Sequence, residues 1–358
     1  MTQRSIWAGV AKFASILCAV GFTGLGTACS GDDLDPLTGE VAKSNIVFTE
    51  WVYNSAWIAQ ADGSNVRKLH SDVQSGVKFS PDGTMLTFNI SNNVHLVTDL
   101  NGKTLHQFTG CLKSDDFSWT PDGNQILFGC YDDGLYRYDL TDGSLTRFYT
   151  TRTDTYDHNP VMSPDQTRIV FTHHEFGTAY TIFVVNPDGS NVVSIATGRS
   201  ADHDVSLNLA WVDLTHVAFT VLNYPVSQIH VIDLDAVTDA SIEINDASFN
   251  GITLTSDKQT VAAHGGGLRL APASGLLAGS LQLTPVPHIN ASGHFAWSGD
   301  GAHVVVNGGQ EATSDSADRI LSVFDTSGKE YRFLTSGDFP GKVTCADVQT
   351  VDWGAIPN

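Results

Sequence analysis

Short apolar runs, each cut off by a Pro-Asp-Gly or Asp-Gly turn, recur along most of the chain. The pattern is plainest between residues 117 and 148, where Phe117-Ser118-Trp119 enters the turn Thr120-Pro121-Asp122-Gly123 and leaves it as Gln125-Ile126-Leu127-Phe128. Leu135-Tyr136-Arg137-Tyr138-Asp139 and the turn Thr141-Asp142-Gly143 follow. Proline presets φ at the first turn position and glycine takes the left-handed one, so the flanking runs predict a β-hairpin with a further strand and turn behind it. A unit of three or four such strands has no room for a core of its own.

The unit therefore has to repeat. Aligned on the large residue two places before the proline, the chain shows Phe79, Trp119, Met162, Trp211, Leu254, Trp297 and Trp353, spaced by 40, 43, 49, 43, 43 and 56 residues. A second apolar run ends eight or nine residues after each of the first six, at Phe88, Phe128, Phe171, Phe219, Ala263 and Val306. No such run follows Trp353, whereas Ile46-Val47-Phe48 has the run with no anchor ahead of it. The last strand is thus expected to complete the first repeat, which describes a ring. A ring of four-stranded units of this length is an all-β, seven-bladed β-propeller of antiparallel blades, here over residues 45–356, and its closure removes the open sheet edges of a linear array.

The turns carry a family resemblance. Ser80-Pro81-Asp82-Gly83, Thr120-Pro121-Asp122-Gly123 and Ser163-Pro164-Asp165, with Asp62-Gly63, Asn101-Gly102, Asp142-Gly143 and Asp188-Gly189, resemble the TolB-like, WD-repeat-like propeller repeat. Gln166 replaces a turn glycine, and Val212-Asp213-Leu214 and Ser256-Asp257-Lys258 lack both proline and glycine, so blades five and six follow mostly from spacing. The resemblance implies the propeller only. TolB has an α/β domain ahead of its propeller for which 358 residues leave no length, so its role with the Pal lipoprotein is not implied.

Ahead of the repeats, Arg4 and Lys12 precede a 13-residue apolar stretch, Phe13 to Leu25, and then Gly26-Thr27-Ala28-Cys29. Thirteen residues make roughly 20 Å of helix, short of a bilayer core of about 30 Å, so residues 1–28 read as a signal peptide. Small residues before a cysteine, followed by Ser30-Gly31-Asp32-Asp33, resemble a bacterial lipobox, which implies lipidation of Cys29 and an acidic tether over residues 29–44. Gly26 stands where that family prefers leucine, and Gly26-Thr27-Ala28 is also an ordinary signal-peptidase site, which would make the protein secreted. Either way the expected location is the bacterial cell envelope or beyond, and the membrane is reached through a lipid anchor alone.

Without residues 1–28 the chain holds 17 basic against 39 acidic residues, a net charge of −22. Such a surface repels phosphate backbones and anionic lipid, which argues against nucleic acid as a partner. Tight turns leave little to recognise a ligand with, so the expected functional face is the opposite one, with the irregular loops. It is expected to present Trp51, Tyr53, Tyr131 and the His173-His174-Glu175 segment as loop residues, aromatic platforms and carboxylates that suit a sugar or a peptide. Residues three and four before each anchor should ring the channel, among them Asp115, Asp116, His158 and His294, with Asp157, His203 and Asp204 beside them. Water filling the channel explains such a ring equally well. No cofactor is expected; imidazoles and carboxylates would hold a divalent ion only if they converged. Cys111 and Cys130 fall near one another on this face and form a candidate disulfide, with a free buried thiol the alternative for either.

No Gly-x-Ser-x-Gly elbow, His-Glu-x-x-His or phosphate loop is present. The expectation is a monomeric, non-catalytic binding platform for an envelope protein or polysaccharide. The alternatives are a structural spacer and a metal-dependent polysaccharide lyase, since oligogalacturonate lyases are similar seven-bladed propellers with histidines on the channel face.

Overall fold

In the computed structural model, described residues are 34–50, 54–109, 117–130, 133–150, 155–175, 179–199, 209–222, 226–246, 248–287, 289, 295–307, 319–335 and 348–356. Residues 35–358 form one compact unit. Its described residues form 28 strands in seven four-stranded antiparallel sheets.

Blade one joins β28 (Val348–Trp353) to β1 (Asn45–Glu50), β2 (Ser55–Gln60) and β3 (Arg67–Ser71). Blade two runs β4 (Val73–Phe79), β5 (Met85–Ile90), β6 (Val94–Asp99) and β7 (Thr104–Thr109). In blade three these are β8 (Phe117–Trp119), β9 (Gln125–Cys130), β10 (Gly134–Asp139) and β11 (Leu145–Tyr149), and in blade four β12 (Thr155–Met162), β13 (Ile169–Glu175), β14 (Ala179–Val185) and β15 (Val193–Arg199). Blade five has β16 (Ala210–Trp211), β17 (His216–Val221), β18 (Ser227–Asp233) and β19 (Thr238–Ile244), and blade six β20 (Gly251–Leu254), β21 (Thr260–His264), β22 (Leu268–Pro272) and β23 (Thr284–Pro285). Blade seven is β24 (Phe295–Trp297), β25 (His303–Asn307), β26 (Arg319–Asp325) and β27 (Glu330–Thr335).

All seven anchors end the first strand of a blade, and the ring closes as the pattern predicts. β1 pairs with β28 in the register Ile46↔Trp353, Val47↔Asp352, Phe48↔Val351. The Trp353 indole adds a 2.6 Å hydrogen bond to the hydroxyl of Ser44, which ends the short helix α1 (Glu40–Lys43).

The second strand of each blade is covered on both faces by its neighbours, which is why it reads as a continuous apolar run rather than an alternating one. Phe48, Phe88, Phe128, Phe171, Phe219, Ala263 and Val306 are all at most 1% exposed. The buried residues fall into seven clusters, each spanning one blade-to-blade interface. Fourth strands are more exposed: β7 exposes Thr104, Leu105 and Gln107, and β19 exposes Thr238 to Ser241. The segment expected as tether differs from expectation in its second half. Leu37 and Ala42 are buried, and Val41 packs with them against the interface of blades seven and one, since apolar side chains in this stretch find a ready apolar wall.

Candidate functional site

The site grows out of the turns that end the first strands. After five anchors a buried hydroxyl, on Ser80, Thr120, Ser163, Thr255 and Ser298, donates to the aspartate two residues on and accepts the backbone N–H five residues on. The aspartate then accepts a second backbone N–H, as from Thr84 to Asp82 and from Ala302 to Asp300. In blade five Val212 stands where the hydroxyl would be, and Asp213 alone accepts the N–H groups of Thr215 and His216. Gln166 and Lys258 occupy the left-handed position that Gly83, Gly123 and Gly301 take elsewhere, with φ of 61° and 60°. The repeat is thus carried by hydroxyl and aspartate; proline and glycine are optional.

One residue before four of the anchors, at Lys78, Ser118, Thr253 and Asp352, a polar side chain laces one first strand to the next. The Lys78 ammonium donates to the Phe117 carbonyl at 2.8 Å, and Asp352 accepts the Phe79 N–H at 2.8 Å and its neighbour's, Trp353, at 2.9 Å. Burial pushes the Asp352 carboxyl up to about 6, against the pull of those two N–H groups and of Lys78.

Asp352 also lines a cavity of about 890 Å³ on the turn face, between blades six, seven, one and two. Phe79, Phe295, Trp297 and Trp353 supply aromatic wall, the Phe295 and Trp297 rings lying 6.5 Å apart and nearly perpendicular. Asp82, Asp300, Ser256 and the C-terminal residues Ala355 and Ile356 form the exposed and half-exposed rim. The cavity therefore opens on the face that the pattern of tight turns had set aside. Turn residues recognise little one by one, but turns and strand ends of neighbouring blades converging near a channel make a concave surface. Asp352 and the aromatic anchors had read only as strand and core. The signal was a charge immediately before an anchor, found only at Lys78 and Asp352, in adjacent blades of the closed ring.

The histidines of blade four lie elsewhere than expected. His173, His174 and Glu175 end strand β13, and Asp157 and His158 lie within β12; none is on a loop. The Asp157 carboxylate is fully buried and bonds His173 Nδ1 at 2.7 Å, on the face that Phe171 turns to blade three. On the opposite face the rings of Tyr156, His158 and His174 stack with centroids 4.8–5.2 Å apart, so His158 faces blade five rather than the channel axis. The two-residue period explains the split, since Asp157 pairs with His173 while His158 pairs with Thr172. Burial, with His158 and His173 adding to it, holds the His174 imidazole down to about 4. Among the described residues no three His, Cys, Asp or Glu side chains are grouped to hold a metal ion.

Cys29, Trp51, Tyr53, Cys111, Asp115, Asp116, Tyr131, His203, Asp204 and His294 lie outside the described residues. Cys130, at the end of β9, is disulfide-bonded, and every other cysteine of the chain also lies outside them.

No protein-family model matches the chain, and no curated protein is similar to it in sequence. Solved structures share its architecture. The propeller domain of Cps50 (Swd1) from Myceliophteria thermophila aligns at 15% identity over 81% of this chain and 91% of that one, with a TM-score of 0.59. The chain shares with that domain the fold of a β-propeller, here seven-bladed. Oligogalacturonate lyase from Vibrio parahaemolyticus is similar at 13% identity over 82% and 86% of the two chains, with a TM-score of 0.56. TolB from Acinetobacter baumannii aligns at 15% identity over 88% of this propeller chain and 67% of its own, with a TM-score of 0.49. At such identities the likeness is one of fold.

Proposed function

We propose that this propeller is a cell-envelope lipoprotein, anchored through Cys29, that binds a segment of polysaccharide or protein at its turn-face cavity without transforming it. The observation that supports this best is the cavity itself. About 890 Å³ of concave space, aromatic-walled with a few carboxylates, is of the size and make-up that ligand sites share. Both oxygens of Asp352 already accept backbone N–H groups, which suits a fixed acceptor better than a mobile general base.

A glycan array and a displayed peptide library, probed with the parent and with Ser256→Trp, test the reading. Ser256 is exposed on the rim, so an indole there should close the mouth and leave the fold alone. The parent should retain ligands that the variant loses. Identical profiles for the two proteins, or no ligand in either format, would overturn the proposal. The anchor is tested separately by Cys29→Ala, expected to move the protein from the membrane fraction to the soluble one; an unchanged distribution would favour plain secretion.

A further inference from the structure

The cavity has a one-sided charge. Its lining includes Asp82 from blade two, Asp300 from blade seven and Asp352 from blade one and, among the described residues, no lysine or arginine. The lysine nearest to Asp352 in the chain of inner strands, Lys78, already donates to the Phe117 carbonyl and lies over the Phe117 ring, 5.5 Å from its centroid. Three carboxylates facing one concavity repel an anionic ligand and attract a cationic one, most strongly where aromatic walls lower the local dielectric. Aromatic faces favour the same choice, since an ammonium over Trp or Phe gains from the ring quadrupole.

The charged groups are also acceptors only, and they are spread around the mouth on three successive blades of the ring. A single lysine side chain presents all its donors at one tip and could serve one of the three. A sugar carries donors around its whole perimeter, and its apolar face can lie against Trp297 or Phe295. With nitrogen left free of an acetyl group, it also brings the positive charge. We propose that the turn-face cavity takes an oligomer of a de-N-acetylated amino sugar, whose ammonium and hydroxyl groups donate to Asp82, Asp300 and Asp352 while its rings pack on Trp297 and Phe295. This rests on the reading that the cavity is the binding site, and it excludes the uronate chains of a galacturonate-degrading propeller from the same place.

Calorimetric titration at low ionic strength, where charge is least screened, tests it with four probes: a glucosamine tetramer, the N-acetylglucosamine tetramer, a galacturonate tetramer and the peptide Gly-Lys-Gly. The glucosamine tetramer should bind at least roughly tenfold more tightly than its acetylated counterpart, and the uronate should not bind. Ser256→Trp should abolish the binding, and Asp352→Asn should reduce the preference for the free amine severalfold. Equal affinity for the two tetramers, lost in Ser256→Trp, would overturn the amino-sugar inference and leave the binding reading standing. Tighter binding of Gly-Lys-Gly would overturn it in favour of a basic peptide. Glucosamine binding unchanged by Ser256→Trp would place the cation on the acidic outer surface and sink both, and no saturable heat with any probe would sink the inference even if Asp352→Asn failed to fold.

Discussion

The hydroxyl of Ser163 is buried and serves two partners at once, donating to Asp165 at 2.6 Å and accepting the Arg168 N–H at 3.0 Å. Ser163→Ala leaves both without it, and should lower stability by about 1–2 kcal/mol, read from the urea midpoint. Pro164 is exposed and acts mainly on the unfolded chain, so Pro164→Ala should cost below about 1 kcal/mol. Gln166→Gly should gain roughly 0.5–1 kcal/mol by relieving a left-handed backbone that glycine adopts freely. The pH dependence has a definite sign. The Ser163 hydroxyl foremost, then backbone and side chain of Thr167, hold the Asp165 carboxyl below its usual range despite some burial. A depressed carboxyl stabilises the fold at neutral pH and loses that contribution as pH falls through its folded value, so the gap between parent and Ser163→Ala should narrow in strong acid. Proline and glycine mark turns in any sequence because they restrict or free the backbone, and they located blades two to four. Blades five and six dropped those residues, and blade six kept Thr255 and Asp257; a hydroxyl three places before the left-handed residue is common in loops of every kind, so its role shows only once the hydrogen bonds are seen.

Among the strands, legibility follows burial. Second strands were read correctly because both faces are apolar, whereas β13 turns polar at Thr172 and His173, and polarity inside a strand looks like the beginning of a loop. What keeps these side chains in the sheet is partnership across it, Asp157 with His173 and Tyr156 with His174, and a pairing between strands is not visible along one of them. Asp352 hides for the same reason: its partner, the Phe79 N–H, is 273 residues away. The link between β28 and β4 should be measurable through pH. A carboxyl raised by burial to about 6 is disfavoured as its anion, so the stability it contributes is full below the unfolded value near 4 and is lost as pH rises through 6. Asp352→Asn cannot ionise. Relative to parent, it should gain on the order of 1–2 kcal/mol between pH 4.5 and pH 7.5, a shift opposite in sign to that of a carboxyl held below its usual range, such as Asp165. A pH-independent difference between the two proteins would mean that Asp352 is ionised throughout.

For the whole molecule, the ring was legible because a missing quarter-repeat at one end matched a surplus at the other, and geometry allows few ways to satisfy both. The channel chemistry was not, because which side chains meet at the axis depends on bulges such as the shift between His158 and Val161. Closure concentrates risk in one strand. β28 covers the open edge of β1, sends Trp353 into the interface of blades seven and one, and hands Asp352 across to blade two. Deleting residues 347–358 removes all three at once and uncovers Phe48 and Ile46, so the melting temperature should fall by roughly 10 °C or more and the protein should aggregate through the exposed edge. Loss of buried Trp353 alone would weaken any fold, so the decisive step is addition in trans of a synthetic peptide spanning 347–358. If edge pairing closes the ring, the peptide should restore much of the melting temperature in a saturable way, and a version with proline at Val351, opposite Phe48, should not. A truncated protein that melts like its parent would show that the ring is held by its other six interfaces, and a destabilised one that the peptide cannot rescue at any concentration would overturn closure by edge pairing.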